Sequence, residues 1–446
     1  MFRRTPRPVF LSLALALWAA AGCATATRAP SRGLPPPSRE VLPNGVRVVI
    51  QEHRTSDIVV LQLWVGVGGR DEAPEERGFS HFAEHMLFKG TETLGRGFVD
   101  REIEAVGGRT NAATSYDYTY YYVLLPAARA ARGIEMLADI AVNSRFDTDE
   151  LGHEREVVFE EIRLGEDNPR AALHRRLYDL VFRGHPYGHP VLGAPAALRS
   201  ATRDTLRAYY KRHYTAENMT LVVAGPVDPA QIREIAAARF GQIAASGSPR
   251  PEPALPKPIE EARSEVVERP ERQALLALGF LAPPLGAADM PAVDLLAHIL
   301  GGSTTSRLNQ ALREQQRLVS SVTAGYSALE RGGVLVVTAQ FEPSDEAEVE
   351  RHIMAEMLRL QEAGVTDEEL RRAVTAAEAE RVFAEETAEG LALAYGRAET
   401  IWTIEDDRRF VEHVRAVTRD DIQAAARRYL APPHARLAFL PRRPAP

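Results

Sequence analysis

Short apolar, β-branched runs at 46–51 and 58–67 predict two strands near the start of the globular chain. Residues 78–88 change period. Phe79, Phe82 and Met86 recur three and four apart, which gives a predicted helix one apolar face. Residues 111–125 hold two further strand runs, and the alternation of Tyr118, Tyr120 and Tyr122 puts aromatic rings on one sheet face. Helical periodicity occupies about 126–182 and 202–212, followed by a strand at 219–224 and a helix from Pro229. The segment 246–261 carries five prolines and reads as a stiff extended linker. The order then repeats: a strand at 273–279, a helix at 291–300, strands at 318–326 and 333–341, and long helices through about Trp402. The pattern predicts an α+β chain built as a diverged tandem repeat. Its halves are 41–245 and 263–446, joined by a linker at 246–262.

Composition agrees with a globular chain of two or more domains: 446 residues, 45% hydrophobic, 26% charged, net charge −7. No basic stripe with interleaved aromatics appears, which excludes an obvious nucleic-acid binder. The N-terminus reads as an export signal spanning 1–22. Arg3, Arg4 and Arg7 precede an apolar stretch at 9–21 that is short for a membrane span. It leads into Ala20-Ala21-Gly22-Cys23, which resembles a bacterial lipobox with Ala20 where Leu is commoner, and Cys23 is the only cysteine. The resemblance implies cleavage before Cys23, acylation of its thiol and a lipid-anchored envelope protein, on the periplasmic or outer-membrane side in a Gram-negative cell. Plain secretion after cleavage at Ala26 is the alternative. Cleavage before Cys23 removes three Arg and no acid, taking the net charge from −7 to −10. Residues 23–40 then read as a flexible tether.

The chemistry concentrates in His81-Phe82-Ala83-Glu84-His85, an HxxEH. On a helix, His81 and His85 share a face and can bind one zinc through imidazole nitrogen. Glu84 lies beside them as a proton acceptor for water. Two histidines leave the site short of a third ligand. The acidic stretch 154–162 supplies candidates. It reads as a helix capped by Asp147, with Glu150 in a capping-box position and Leu151, Val158 and Ile162 as its apolar stripe. Spacing alone does not choose among Glu154, Glu160 and Glu161, and most such acidic helices are only solvated surfaces.

HFAEHMLFKG, then TNAATSYDYTYYYV, then EREVVFEEI resemble the N-terminal domain of the M16, or pitrilysin, zinc metallopeptidase family. That resemblance covers nearly the whole chain from about Val41. It implies two α/β-roll domains enclosing a cleft, one Zn2+ per chain, Glu161 as third ligand and Glu154 as its supporting acid. It also implies that Asn111 and Ala112 belong to an edge strand that binds substrate by β-augmentation. The activity implied is that of a zinc-dependent endopeptidase for peptides or unfolded polypeptides, with Glu84 as general base.

The second half departs from the first. Its corresponding helix, AVDLLAHIL at 292–300, has His298 alone, which reads as packing rather than metal binding. GGSTTSRL at 301–308 followed by LRE at 312–314 again resembles the family, many members of which place an Arg and a Tyr seven apart across the cleft. Arg313 fits the Arg, but Ser320 stands where Tyr is expected, and Tyr326 could replace it only through a shift of register. The chain is expected to work as the catalytic subunit of a homo- or heterodimer, and either its second half is degenerate or an M16-like partner in a heterodimer supplies the pair. Two other readings are a non-catalytic scaffold subunit and a maturation peptidase dedicated to one precursor.

Overall fold

The computed structural model describes residues 34–247 and 250–442. The leader, Cys23 and most of the tether lie outside them. From Pro37 onward the chain forms one compact unit. Six strands of the first half are β1 (Ser38–Val41), β2 (Arg47–Glu52), β3 (Ile58–Val65), β4 (Arg109–Thr114), β5 (Thr119–Pro126) and β6 (Met219–Gly225). They pair in the order β1-β2-β6-β3-β5-β4. The second half contributes β7 (Arg263–Arg269), β8 (Ala274–Ala282), β9 (Val319–Leu329), β10 (Gly332–Phe341) and β11 (Ala435–Pro441). These pair as β7-β11-β8-β10-β9. Apart from β1 the two orders match strand for strand. In each sheet one pair is parallel, β2 with β6 and β7 with β11, and the rest are antiparallel.

The helices repeat as well. The first half has α1 (Phe79–Leu87), α2 (Phe98–Glu104), α3 (Ala130–Asn143), α4 (Thr148–Asp167), α5 (Pro169–Val181), α6 (Pro195–Ser200), α7 (Arg203–His213) and α8 (Pro229–Phe240). The second has α9 (Met290–Ala297), α10 (Glu346–Ala363), α11 (Asp367–Glu385), α12 (Ala388–Ile401), α13 (Ile404–Ala416) and α14 (Arg419–Tyr429). Taken by its place after the strands, α1 corresponds to α9, α4 to α11 and α5 to α12.

The two halves exchange a helix. In the second half α12 lays Leu391, Ala392 and Tyr395 on the face of the first sheet, against Val49, Val60, Trp64 and Val222. In return α5 lays Leu173, Leu177 and Val181 on the second sheet, against Leu275, Ala277, Val334 and Leu437. Both crossings depend on a glycine. A Cβ at Gly396 would stand 2.0 Å from Trp64 Nε1, and one at Gly279 would stand 2.6 Å from Val181 Cγ2. Tyr118, Tyr120 and Tyr122 do share one face, where Tyr120 stacks on Trp64 at 4.4 Å beneath α12. They serve the junction between the halves.

Charge ties the same junction. The fully buried side chain of Arg70 meets Asp71, Asp117 and Glu330 at 2.8–3.6 Å. From the proline-rich segment, Arg250 reaches Asp71 at 2.7 Å and Glu330 at 3.1 Å. The linker is extended, as its prolines require, but it is docked: Ile259 is buried and Pro256 packs beside Gly332. The predicted tether ends earlier than Glu40, because Ser38–Val41 pair with β2 as an edge strand. Backbone pairing accepts exposed polar sequence at a sheet edge, which hydrophobic pattern does not register. The same reason hides β7, whose side chains alternate between exposed and half-buried. α13 and α14, beyond Trp402, and the closing strand β11 also escape the sequence pattern.

Candidate metal centre

α1 begins after Gly78, which has no side chain to cap it. Glu72 does so from upstream, accepting the Gly78 amide at 2.6 Å and the Ser80 amide at 2.8 Å. Burial pushes this carboxyl up to about 8 against the pull of those hydrogen bonds. Phe79, Phe82 and Met86 anchor the helix in the core, so His81, Glu84 and His85 are left to face α4 and the edge strand β4. Asp147 caps α4 as expected, accepting the amides of Asp149 and Glu150. Glu150 does not close a capping box and instead pairs with Arg96 at 2.6 Å. Leu151 and Val158 are buried and fix the rotation of α4, which turns Glu154 and Glu161 toward α1.

The ligand atoms converge. His81 Nε2 lies 3.3 Å from His85 Nε2, and Glu161 Oε2 lies 3.4 Å and 3.6 Å from the two. Ligand atoms about 2.1 Å from a tetrahedral zinc stand about 3.4 Å apart, so this triangle has the size of one face of a zinc tetrahedron. Among the described residues this is the one group of three or more His, Cys, Asp or Glu arranged to hold a metal ion. Glu160 turns away and pairs with Arg163. The fit is also chemical. Three electron-pair donors facing one another repel unless a cation lies between them. Burial, and then His85, push His81 down to about 3, so its ring is neutral. Burial works against charge on His85 too, but the Glu154 hydrogen bond and the Glu161 and Glu84 carboxylates outweigh it and shift this group upward.

One neighbour orients His85. Glu154 Oε2 accepts a hydrogen bond from His85 Nδ1–H at 3.0 Å, which turns Nε2 toward Glu161. Its other oxygen meets Lys89 at 2.7 Å. Burial opposes the ionised form of Glu154, but His85 and Lys89 prevail and its carboxyl is held low. Glu84 is raised by burial and accepts a hydrogen bond from the Thr114 hydroxyl through Oε2. Lys89 and Thr114 lie inside the quoted sequence motifs, yet nothing in spacing distinguishes them from their neighbours.

Thr114 belongs to β4, the outer strand of the first sheet, which carries Asn111 and Ala112. Asn111 is exposed and Ala112 is half-buried against the core. Among the described residues the outer side of β4 pairs with no other strand, and its Thr114 touches Glu84. In the second half, Arg313 lies in a π-helical turn (Asn309–Gln315), exposed, and among the described residues its one ionic neighbour is Glu314 at 4.0 Å. Ser320, the second residue of β9, donates to the Gln340 carbonyl. Tyr326 donates to the Pro283 carbonyl at 2.6 Å. Among the described residues none of the three contacts the triad.

Comparison with known proteins gives the same picture. Residues 47–195 match the family described as Insulinase (Peptidase family M16). Residues 200–377 match the Peptidase M16 inactive domain. An uncharacterized zinc protease of Bacillus subtilis is 34% identical over 327 residues, covering 73% of this chain and 79% of that protein. One of Streptomyces coelicolor is 30% identical over 400 residues, covering 87% and 86%. Among solved structures, a protease from Helicobacter pylori superimposes with a TM-score of 0.87 at 24% identity, over 92% of this chain and all of that one. A peptidase M16 inactive domain from Pseudomonas fluorescens does so with a TM-score of 0.82 at 19% identity, over 91% and 98%. At these identities the two structures establish the fold.

Proposed function

This chain belongs to the M16 peptidase family, and from that premise we propose that it is a zinc-dependent endopeptidase acting on peptides or unfolded polypeptides. The observation that carries the reading is the His81, His85 and Glu161 triangle with Glu84 on the same helix. The relatives named zinc proteases support zinc as the metal. Bound there, zinc supplies Lewis-acid polarisation of the scissile carbonyl and lowers the pKa of water toward neutrality.

The chain's own residues do the rest. An extended substrate adds to β4 along Asn111 and Ala112 through main-chain hydrogen bonds, which are indifferent to side chains and so tolerate varied sequence. With Oε2 held by Thr114, Glu84 presents Oε1 to the attacking water, takes its proton and returns it to the leaving amine. Burial raises Glu84 and makes it a better acceptor than a solvated carboxylate.

The exposed Arg313 and the short Ser320 favour a dimer in which a second M16-like subunit supplies an Arg/Tyr pair. A phenol could reach a developing oxyanion, and a serine hydroxyl already committed to Gln340 could not. Cleavage of a quenched fluorescent unstructured peptide by the zinc-loaded protein from Ala24 onward, beside Glu84→Gln, tests the reading. Activity that vanishes in the variant supports the peptidase. A zinc-bound but inactive wild type, with and without a co-expressed partner, points to the scaffold reading. A single precursor cleaved out of a broad panel would mark a dedicated maturation peptidase. Anchoring through Cys23 is part of the same proposal, and an acyl mass on the mature N-terminus would establish it.

A further inference from the structure

The chain draws its basic residues almost entirely from arginine. Of its 54 lysines and arginines, lysine accounts for Lys89, Lys211 and Lys257 alone, and among the described residues Lys89–Glu154 is the one ion pair that a lysine makes. Lys89 lies just beyond α1, four residues after His85. Its ammonium meets Glu154 Oε1 at 2.7 Å, while Glu154 Oε2 accepts from His85 Nδ1–H at 3.0 Å. Each oxygen of the carboxylate has its own partner, and together the partners fix its plane. The Nδ1 of His81 is buried with no hydrogen-bond partner among the described residues. Hydrogen-bonded control over the ligand rings therefore rests on the row His85, Glu154, Lys89.

A guanidinium would divide the carboxylate differently. Where this chain sets Arg on Glu, the fork can take both oxygens: Arg132 holds Glu102 at 2.6 and 2.8 Å, and Arg307 holds Glu369 at 2.7 and 2.9 Å. An ammonium is a point charge that holds one oxygen and leaves the other free. In the second half Asp294 and His298 lie four apart as His81 and His85 do, and Glu380 repeats Glu161, each fourteen residues after its N-cap. Both members of the supporting pair are missing there. Ala373 stands seven residues after the N-cap of α11, as Glu154 does after that of α4. Gly302 stands four after His298, where a Cβ would lie 3.0 Å from His298 Nδ1.

We propose that Lys89 is a positioning residue of the metal centre, holding Glu154 by one oxygen so that the other keeps the His85 ring aimed at the metal. The inference rests on the triad as the zinc site and not on peptide cleavage. Its sign is distinctive. By charge alone, removing an ammonium close to a dication tightens zinc binding. By positioning, removing it weakens zinc binding, because the buried Glu154 carboxylate is released and can turn away from His85.

Zinc dissociation constants of the protein from Ala24 onward, measured against a competing chromophoric chelator at neutral pH, separate the two. We expect Lys89→Met to weaken zinc about tenfold or more, and Lys89→Arg to do the same by drawing both Glu154 oxygens. In a Glu154→Gln background, Lys89→Met should change the affinity less than about twofold, because the group it acts through is gone. The visible spectrum of the Co2+-loaded protein should change in both Lys89 variants. Thermal unfolding of the metal-free forms verifies that they are folded. Three results would each overturn the proposal: unchanged or tighter zinc binding in Lys89→Met, wild-type affinity and cobalt spectrum in Lys89→Arg, or an undiminished effect of Lys89→Met in the Glu154→Gln background. A wild type that binds no zinc would remove the metal site itself, and the proposal with it.

Discussion

The α1–α4 corner and the α9–α11 corner are built on one topology and do different things. In the first, two rings and a carboxylate converge to 3.3–3.6 Å, and Glu154, itself paired with Lys89, holds the His85 ring in place. In the second, Asp294, His298 and Glu380 occupy corresponding places but have no such neighbour and stay apart around a cavity. Ala373 stands where the repeat would require the counterpart of Glu154. The difference teaches that ligand residues at matching positions do not make a metal site. Convergence also needs neighbours, such as Glu154 on His85, that fix a ring's orientation.

The comparison can be broken most sharply at Glu84. Glu84→Gln should lower kcat/KM for an unstructured peptide about 10²–10⁴-fold while zinc stays bound one per chain, because a proton acceptor is lost and no ligand is. Loss of zinc along with activity would instead make Glu84 part of the metal set.

The next largest effect lies at the joint between the halves. Arg70→Met leaves Asp71 and Asp117 buried without their shared cation, and should destabilise the protein by about 3–5 kcal/mol in chemical denaturation. A change below about 1 kcal/mol would show that Arg250 suffices as the cation.

Glu154→Gln sharpens the contrast between the corners by making the first resemble the second. The Lys89 pair is lost and the hold on His85 is weakened, so zinc affinity measured against a competing chelator should fall about 10-fold or more. Unchanged affinity would mean that packing alone orients His85.

The smallest effect belongs to Asp294→Asn. The folded carboxyl sits at about 6, above its ordinary 3.8, so its ionised form opposes folding. The stability this costs is fully felt above about pH 6 and disappears as pH falls toward 4. The variant should gain on the order of 1–3 kcal/mol at pH 8, and its advantage over wild type should shrink as pH is lowered through 6. A constant advantage across that range would remove the cause assigned to the shift.

What the sequence determined by itself was local and periodic. The HxxEH named two candidate ligands and a candidate base, because helical spacing places them on one face whatever surrounds the helix. Turn and strand patterns located most of the first half and exposed the tandem repeat. Spacing in the acidic helix left Glu154, Glu160 and Glu161 open, and resemblance to the family singled out Glu161. The rotation of α4, set by buried Leu151 and Val158, agrees with that choice. Only the tertiary structure decided how α5 and α12 trade places across the halves, since two apolar helix faces and two apolar sheets pair equally well on paper. It also decided that Arg250 docks, that Lys89 and Thr114 serve the site, and that Asp294 faces a cavity. Contacts between residues hundreds of positions apart leave no periodic trace in one chain. Edge strands such as β1 and β7 leave little, because they owe their place to backbone hydrogen bonds rather than to side chains.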